Sequence, residues 1–231
     1  MKQVARMLMG LALALMLGTG ALAQDEGTIV QSSCNIVQSG EYYLVYCFAQ
    51  VHNNTEETIC LDEGNLYVMG GEEAIGSERM TRLWPSMLAP GQDGYLFSIV
   101  TFEPGAGIPS VTGLNYDLTY MTVNPAYGGQ ALDAQARIEV NDITGRMSVV
   151  CEVSNPTDED AFGAVLASGL YTDAGQMVYA DGLQLSDIGI PAGGRVLVRL
   201  DVDEELAQQW ASYDALPTQA HVNVMFSTNE D

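Results

Sequence analysis

The sequence predicts an all-β chain, two tandem β-sandwich domains with one short helix near the C-terminus. Three observations carry this. Met147, Val149, Cys151 and Val153 alternate with Ser148, Val150, Glu152 and Ser154, the period of two that sends successive side chains to opposite faces of a strand. A second alternation, Tyr43, Val45, Cys47, Ala49 and Val51, is followed by the same order of parts as the first: a strand-ending Asn, an acidic loop, a Leu-Tyr pair before a Gly turn, a Pro/Gly turn, an apolar strand and a last alternating strand. The third is length. The chain has 231 residues, and 208 follow Ala23, about twice the roughly 100 residues of one small sandwich.

Residues 1–23 read as a secretory leader. Lys2 and Arg6 form a charged start, residues 7–17 are apolar, and Ala21-Leu22-Ala23 is a small-x-small cleavage pattern with Gln24 following. The apolar core is shorter than the ~20 residues a membrane span needs. The mature chain is expected to begin at Gln24, without membrane insertion after cleavage.

The first domain is expected over residues 24–123. Its strand over residues 43–51 ends at Asn53-Asn54-Thr55, the acidic loop carries Glu56 and Glu57, and Leu66-Tyr67-Val68-Met69-Gly70-Gly71 turns the chain. Ala89-Pro90-Gly91 then introduces an apolar strand over residues 95–102, and a last alternating strand covers residues 114–123. Residues 124–135, rich in small and turn-forming residues, are read as a linker. The second domain, residues 136–231, repeats the plan. Asn155-Pro156-Thr157-Asp158 ends its strand, because proline removes a ladder donor and Asn and Asp bond their own backbone in turns. Residues 161–171 run to Leu170-Tyr171-Thr172-Asp173-Ala174-Gly175, where Asp and Gly suit a tight hairpin. Pro191-Ala192-Gly193 precedes the strand over residues 195–202, and residues 220–226 close the copy.

One segment departs from the β pattern. Residues 203–213 open with Asp203, Glu204 and Glu205, acids suited to a helix N-terminus, and set Leu206, Trp210 and Tyr213 on one face at i, i+4 and i+7. This short helix is expected to lie as a lid on the end of a sandwich. Trp84 stands in Leu83-Trp84-Pro85, away from the equivalent place, so the tryptophans do not form a repeated site.

The order of these motifs resembles the FxLYD-type bacterial extracellular domain. Leu170-Tyr171-Thr172-Asp173 stands where that family has Leu-Tyr-Asp, whereas the first copy carries Tyr67-Val68-Met69-Gly70 without the acid. The resemblance covers most of the mature chain. It implies two tandem immunoglobulin-like sandwiches on an exported or cell-envelope protein, and assigns no activity.

Composition bounds the function. The formal charge is −22, and eight basic residues less Lys2 and Arg6 leave six arginines and no lysine in the mature chain. Nucleic-acid and anionic-membrane binding, which need clustered cations, are excluded. Hydrophobic residues make up 47% of the chain, which separates it from acidic disordered chains. The cysteines are Cys34, Cys47, Cys60 and Cys151. A hairpin turning at Gly40-Glu41 would set Cys34 opposite Cys47 on one face. That pairing, Cys60 as a competing partner of either, and reduced buried thiols all stay open, with Cys151 expected unpaired. His52 and His221 stand apart in sequence, with no zinc spacing, nucleophile elbow or phosphate loop.

The acidic loops, Glu56-Glu57 with Asp62-Glu63 and Asp158-Glu159-Asp160, lack the spacing of a calcium loop and are read as solvated surface. No catalytic, cofactor-binding or metal residue is assigned, and no cofactor is expected. The expectation is a secreted or envelope-associated non-catalytic binding protein with a protein or glycan partner. The alternative is a secreted hydrolase using paired carboxylates.

Overall fold

The computed structural model describes residues 27–79, 82–105, 107–124, 129–212 and 216–227. Residues 1–23, read above as a leader, and Gln24 lie outside them. Fourteen strands and one helix follow in chain order among the described residues. β1 (Gly27–Ser39) and β2 (Tyr42–Asn53) form the hairpin expected from Gly40, whose φ is +62°. Next come β3 (Ile59–Gly70), β4 (Glu73–Arg79), β5 (Leu83–Trp84), β6 (Met87–Leu88), β7 (Asp93–Phe102) and β8 (Gly113–Thr122). The second copy holds β9 (Gly129–Val140), β10 (Met147–Ser154), β11 (Ala164–Tyr171), β12 (Met177–Leu185), β13 (Arg195–Asp201), α1 (Glu204–Ser212) and β14 (Gln219–Ser227).

The chain is all-β, and its sheets are antiparallel. In the first copy β1-β2-β7-β5 forms one sheet, and β4-β3-β6, with β8 also on β3, forms the other. Val45, Cys47, Ala49 and Val51 of β2 face Ile59, Leu66 and Val68 of β3, all fully buried, so alternation on one face builds the core between the sheets. The second copy repeats the pairing, with β9-β10-β13 and β12-β11-β14 as two layers of a six-stranded ladder that β9 makes continuous. Met147, Val149, Cys151 and Val153 face Leu166, Leu170 and Val224. The repeat read from the sequence is therefore a repeat of strand connectivity.

One expectation is corrected. Residues 129–135 are not linker: they are strand, pairing with β14 over Gly129 to Leu132 and with β10 from Asp133 onward. Small residues do not prevent a strand where both ladders satisfy the backbone. A single strand thereby joins both sheets of the second copy, and residues 125–128 lie outside the described ones. The helix forms over Glu204–Ser212, with Leu206, Ala207 and Trp210 buried in the second-copy core, and Tyr213 of the expected stripe lies outside the described residues. Asp203 caps it, accepting from the N–H groups of Glu205 and Leu206 at 2.9 and 3.2 Å, and its Trp210 lies against the first copy.

The copies stack face to face. Sheet β1-β2-β7 of the first copy is covered on both sides, because Tyr46, Phe48 and Tyr95 point away from their own sandwich into a core shared with Tyr171, Tyr179 and Trp210. Four sheets lie in series, with three apolar interiors between them.

Candidate functional site

Two constructions set by sequence dominate the molecule, and the first occurs twice. Asn53 and Asn155 end corresponding strands and are 0% and 1% exposed. Asn155 Nδ2 donates to Glu159 O at 2.7 Å and to Ile190 O at 2.9 Å, while its Oδ1 accepts from Thr157 N–H at 3.1 Å and lies 2.7 Å from the Thr157 hydroxyl. Asn53 does the same with Glu57 O, Leu88 O and Thr55 at 2.8, 2.9 and 2.9 Å, its Oδ1 lying 2.8 Å from the Thr55 hydroxyl. In both copies the buried amide knits the acidic loop to the strand that follows. Asn-x-Thr-x-Glu, at positions 53–57 and 155–159, is the signal that sequence reasoning passed over.

The second construction is the seam between copies. Asn35 Nδ2 donates to Val178 O at 3.0 Å, and Asn35 Oδ1 accepts from Trp210 Nε1 at 3.2 Å. Gln31 spans the seam to Gly175 O and Met177 N–H, and Gln209 donates to Ile36 O. Tyr171 donates its hydroxyl to Gln50 Oε1 at 3.0 Å and lies 3.1 Å from the Tyr95 hydroxyl. Close approach requires glycine here. A Cβ on Gly169 would stand 2.6 Å from the Tyr95 ring, and one on Gly182 would stand 2.2 Å from the indole of Trp84. Trp84 and Trp210, unrelated in sequence, both serve this seam.

Carboxylates gather beside it. Tyr46 donates to Asp203 Oδ2 at 3.2 Å, and Tyr179 donates to Asp181 Oδ2 at 3.3 Å. Burial raises the Asp181 carboxyl above its ordinary range, opposed by bonds from Gly182 N–H and Tyr179. Burial, with the Asp203 and Glu205 charges, pushes the Tyr46 hydroxyl up to about 12. Each acid accepts from a tyrosine of the shared core, Asp203 across the seam and Asp181 within the second copy.

The Asp181 shift carries a sign. A carboxyl raised in the folded state contributes stability below its unfolded value, and that contribution is lost as pH rises through the folded value. Asp181→Asn removes the buried charge while leaving an acceptor for Gly182. The variant is expected to melt higher than wild type at pH 7, with the difference vanishing below the ordinary carboxylate range near pH 4. Parallel thermal scans at the two pH values check this, and a variant less stable at pH 7 contradicts it.

Other residues singled out by sequence lie apart. Cys34 and Cys47 are register partners as the hairpin count requires, both unbonded, and burial pushes the Cys34 thiol up to about 11. Cys60 lies on β3, opposite Met87 and Met121. Cys151 is buried in the second-copy core, its thiol likewise pushed up to about 11. His52 Nδ1 lies 2.7 Å from Asp93 Oδ1, and the His221 ring lies against Tyr171 with centroids 4.6 Å apart and planes tilted by 35°. Of the acidic loops, Asp160 accepts from Ala192 N–H at 2.9 Å, Glu57 accepts from the Thr122 hydroxyl, and Glu63 faces Arg79 at 3.8 Å. Among the described residues no group of three or more His, Cys, Asp or Glu side chains is placed to hold a metal ion. None of the described helices is long and apolar enough to cross a membrane.

No family model matches the chain, and no curated protein matches it. A solved structure of procruciferin, an 11S globulin from Brassica napus, aligns over 89% of this chain and 86% of that one, at 7% identity and a TM-score of 0.12. A likeness of that size carries no argument.

Proposed function

We propose that the chain is a non-catalytic binding protein of the cell exterior or envelope, in which two immunoglobulin-like modules of the FxLYD type present their outer surfaces in one fixed geometry. The seam carries this reading. Tyr46, Phe48 and Tyr95 are consumed between the copies, and bonds from Asn35, Gln31, Tyr171 and Gln209 restrain sliding. Relative motion is the default for tandem domains, and a large apolar contact removes it. Tyr46, Phe48 and Tyr95, the aromatics clustered on the outward face of the first copy's sheet, are turned into the seam and so are not an open sugar-stacking platform, which favours a protein partner over a glycan. The leader and the acidity fit a protein kept soluble outside the cell.

The test uses the mature protein, immobilised, against envelope and secreted fractions of its native host. Saturable binding that disappears when the fractions are treated with protease is expected. Binding that survives protease but not glycan digestion would transfer the partner to carbohydrate. Turnover of polysaccharide or ester substrates, abolished by Asp181→Asn or Asp203→Asn, would replace the reading with the hydrolase.

A further inference from the structure

The two copies differ at one sheet edge. In the first, β7 is covered on its far side by β5, with Leu83 opposite Leu96 and Trp84 opposite Tyr95. In the second, the stretch that would provide this cover stays with the other sheet, where Leu185 pairs with Ala164. β13 therefore ends its sheet, with no strand beyond it among the described residues. Leu197, in the place of Tyr95, is 61% exposed where that tyrosine is 2% exposed.

The phase of the ladder fixes what this edge offers. Val202 N–H donates to Met147 O and Asn155 N–H donates to Gly194 O, each at 3.0 Å. Hydrogen-bonded pairs alternate along an antiparallel ladder, so the even-numbered residues of β13 exchange bonds with β10. Arg195, Leu197, Arg199 and Asp201 then turn their N–H and C=O groups to the open side. The first copy has the same phase, since Asn53 N–H donates to Gln92 O, and it is there that Tyr95 meets Trp84.

We propose that a second copy of this chain pairs antiparallel with β13 about a two-fold axis centred on Val198. That register sets Arg195 opposite Asp201 and Leu197 opposite Arg199, twice each, and uses every outward backbone group of the strand. Val196 meets Leu200 on the inner face, continuing the core layer. A register centred on Leu197 would instead oppose Arg195 to Arg199, two like charges at close range. The charge of −22 opposes association at long range, but beyond about 8 Å it is screened at physiological salt. At the edge itself, two of the chain's few arginines stand beside the incoming strand. Their present partners, Glu152 at 2.9 Å and Glu139 at 2.7 Å, form exposed pairs, of a kind that exchanges at little cost. The assembly goes beyond the binding role and does not depend on it.

Sedimentation of the leader-free chain, from about 1 μM to about 1 mM, is expected to show conversion from monomer to dimer. Arg195→Asp and Asp201→Arg each set like charges opposite one another and are expected to weaken the dimer about tenfold or more, while the double exchange restores it. Leu197→Pro removes an outward N–H without touching the β10 ladder, so it should abolish the dimer and leave the fold, read by circular dichroism, in place. A monomer at every concentration overturns the proposal. So does a dimer indifferent to these substitutions, or one that the double exchange does not restore.

Discussion

Asn155→Ala is expected to destabilise the folded chain by about 2 kcal/mol or more, read as a lower denaturant midpoint at unchanged slope. The amide is 1% exposed and satisfies Glu159 O, Ile190 O and Thr157 N–H together. Truncation removes the acceptor of Thr157 N–H and one of the two donors to each of Glu159 O and Ile190 O, which keep the Thr157 hydroxyl and Ala161 N–H, so the loss is about 0.5–1.5 kcal/mol for each bond removed. Asn53→Ala should cost a similar amount, because the same bonds recur at Glu57, Leu88 and Thr55. Asn115→Ala, on the exposed face of β8, should change stability by no more than about 0.5 kcal/mol. An Asn155→Ala loss no larger than that of Asn115→Ala would show that the amide is incidental to the strand end.

Gly182→Val acts on the seam. Wild type is expected to unfold in one transition, because Phe48 and Tyr95 of the first copy share a core with Tyr171 and Tyr179 of the second. A Cβ at residue 182 would stand 2.2 Å from the Trp84 indole. Forcing that ring aside costs about 1–3 kcal/mol as overpacking and should split the melting curve in two as the copies uncouple. Trp84→Ala in the same chain removes the clash, so the double variant should be less damaged than the two single losses added together. Additive losses with a single transition throughout would mean that Trp84 does not couple the copies.

The strands were legible because alternation is a local signal and the two copies corroborated each other. Cys34 opposite Cys47 followed from counting across one turn. The seam was harder to see for a physical reason. Reading β2 as Tyr43, Val45, Cys47, Ala49 and Val51 selects one face, yet Leu44, Tyr46 and Phe48 between them are apolar too. An unbroken apolar run marks a strand covered on both sides, and here the second cover is the other copy. The run from 129 to 135 misled in the opposite way, since its small residues have weak local preference and become strand through partners supplied by β10 and β14. The Asn plugs were visible as Asn-x-Thr-x-Glu in both copies, but a turn at the surface and a buried amide use the same residue types.

The doubly covered sheet also bears on how the molecule is made. Ribosomes deliver the first copy complete, β8 included, before any of β11, β12 or α1 exists. Until those arrive, Tyr46, Phe48 and Tyr95 form a bare apolar face on an otherwise finished sandwich. A first half on its own therefore exposes three large aromatic side chains that the complete chain buries, the kind of transient apolar surface that makes a partly made protein prone to aggregate until its remainder has packed.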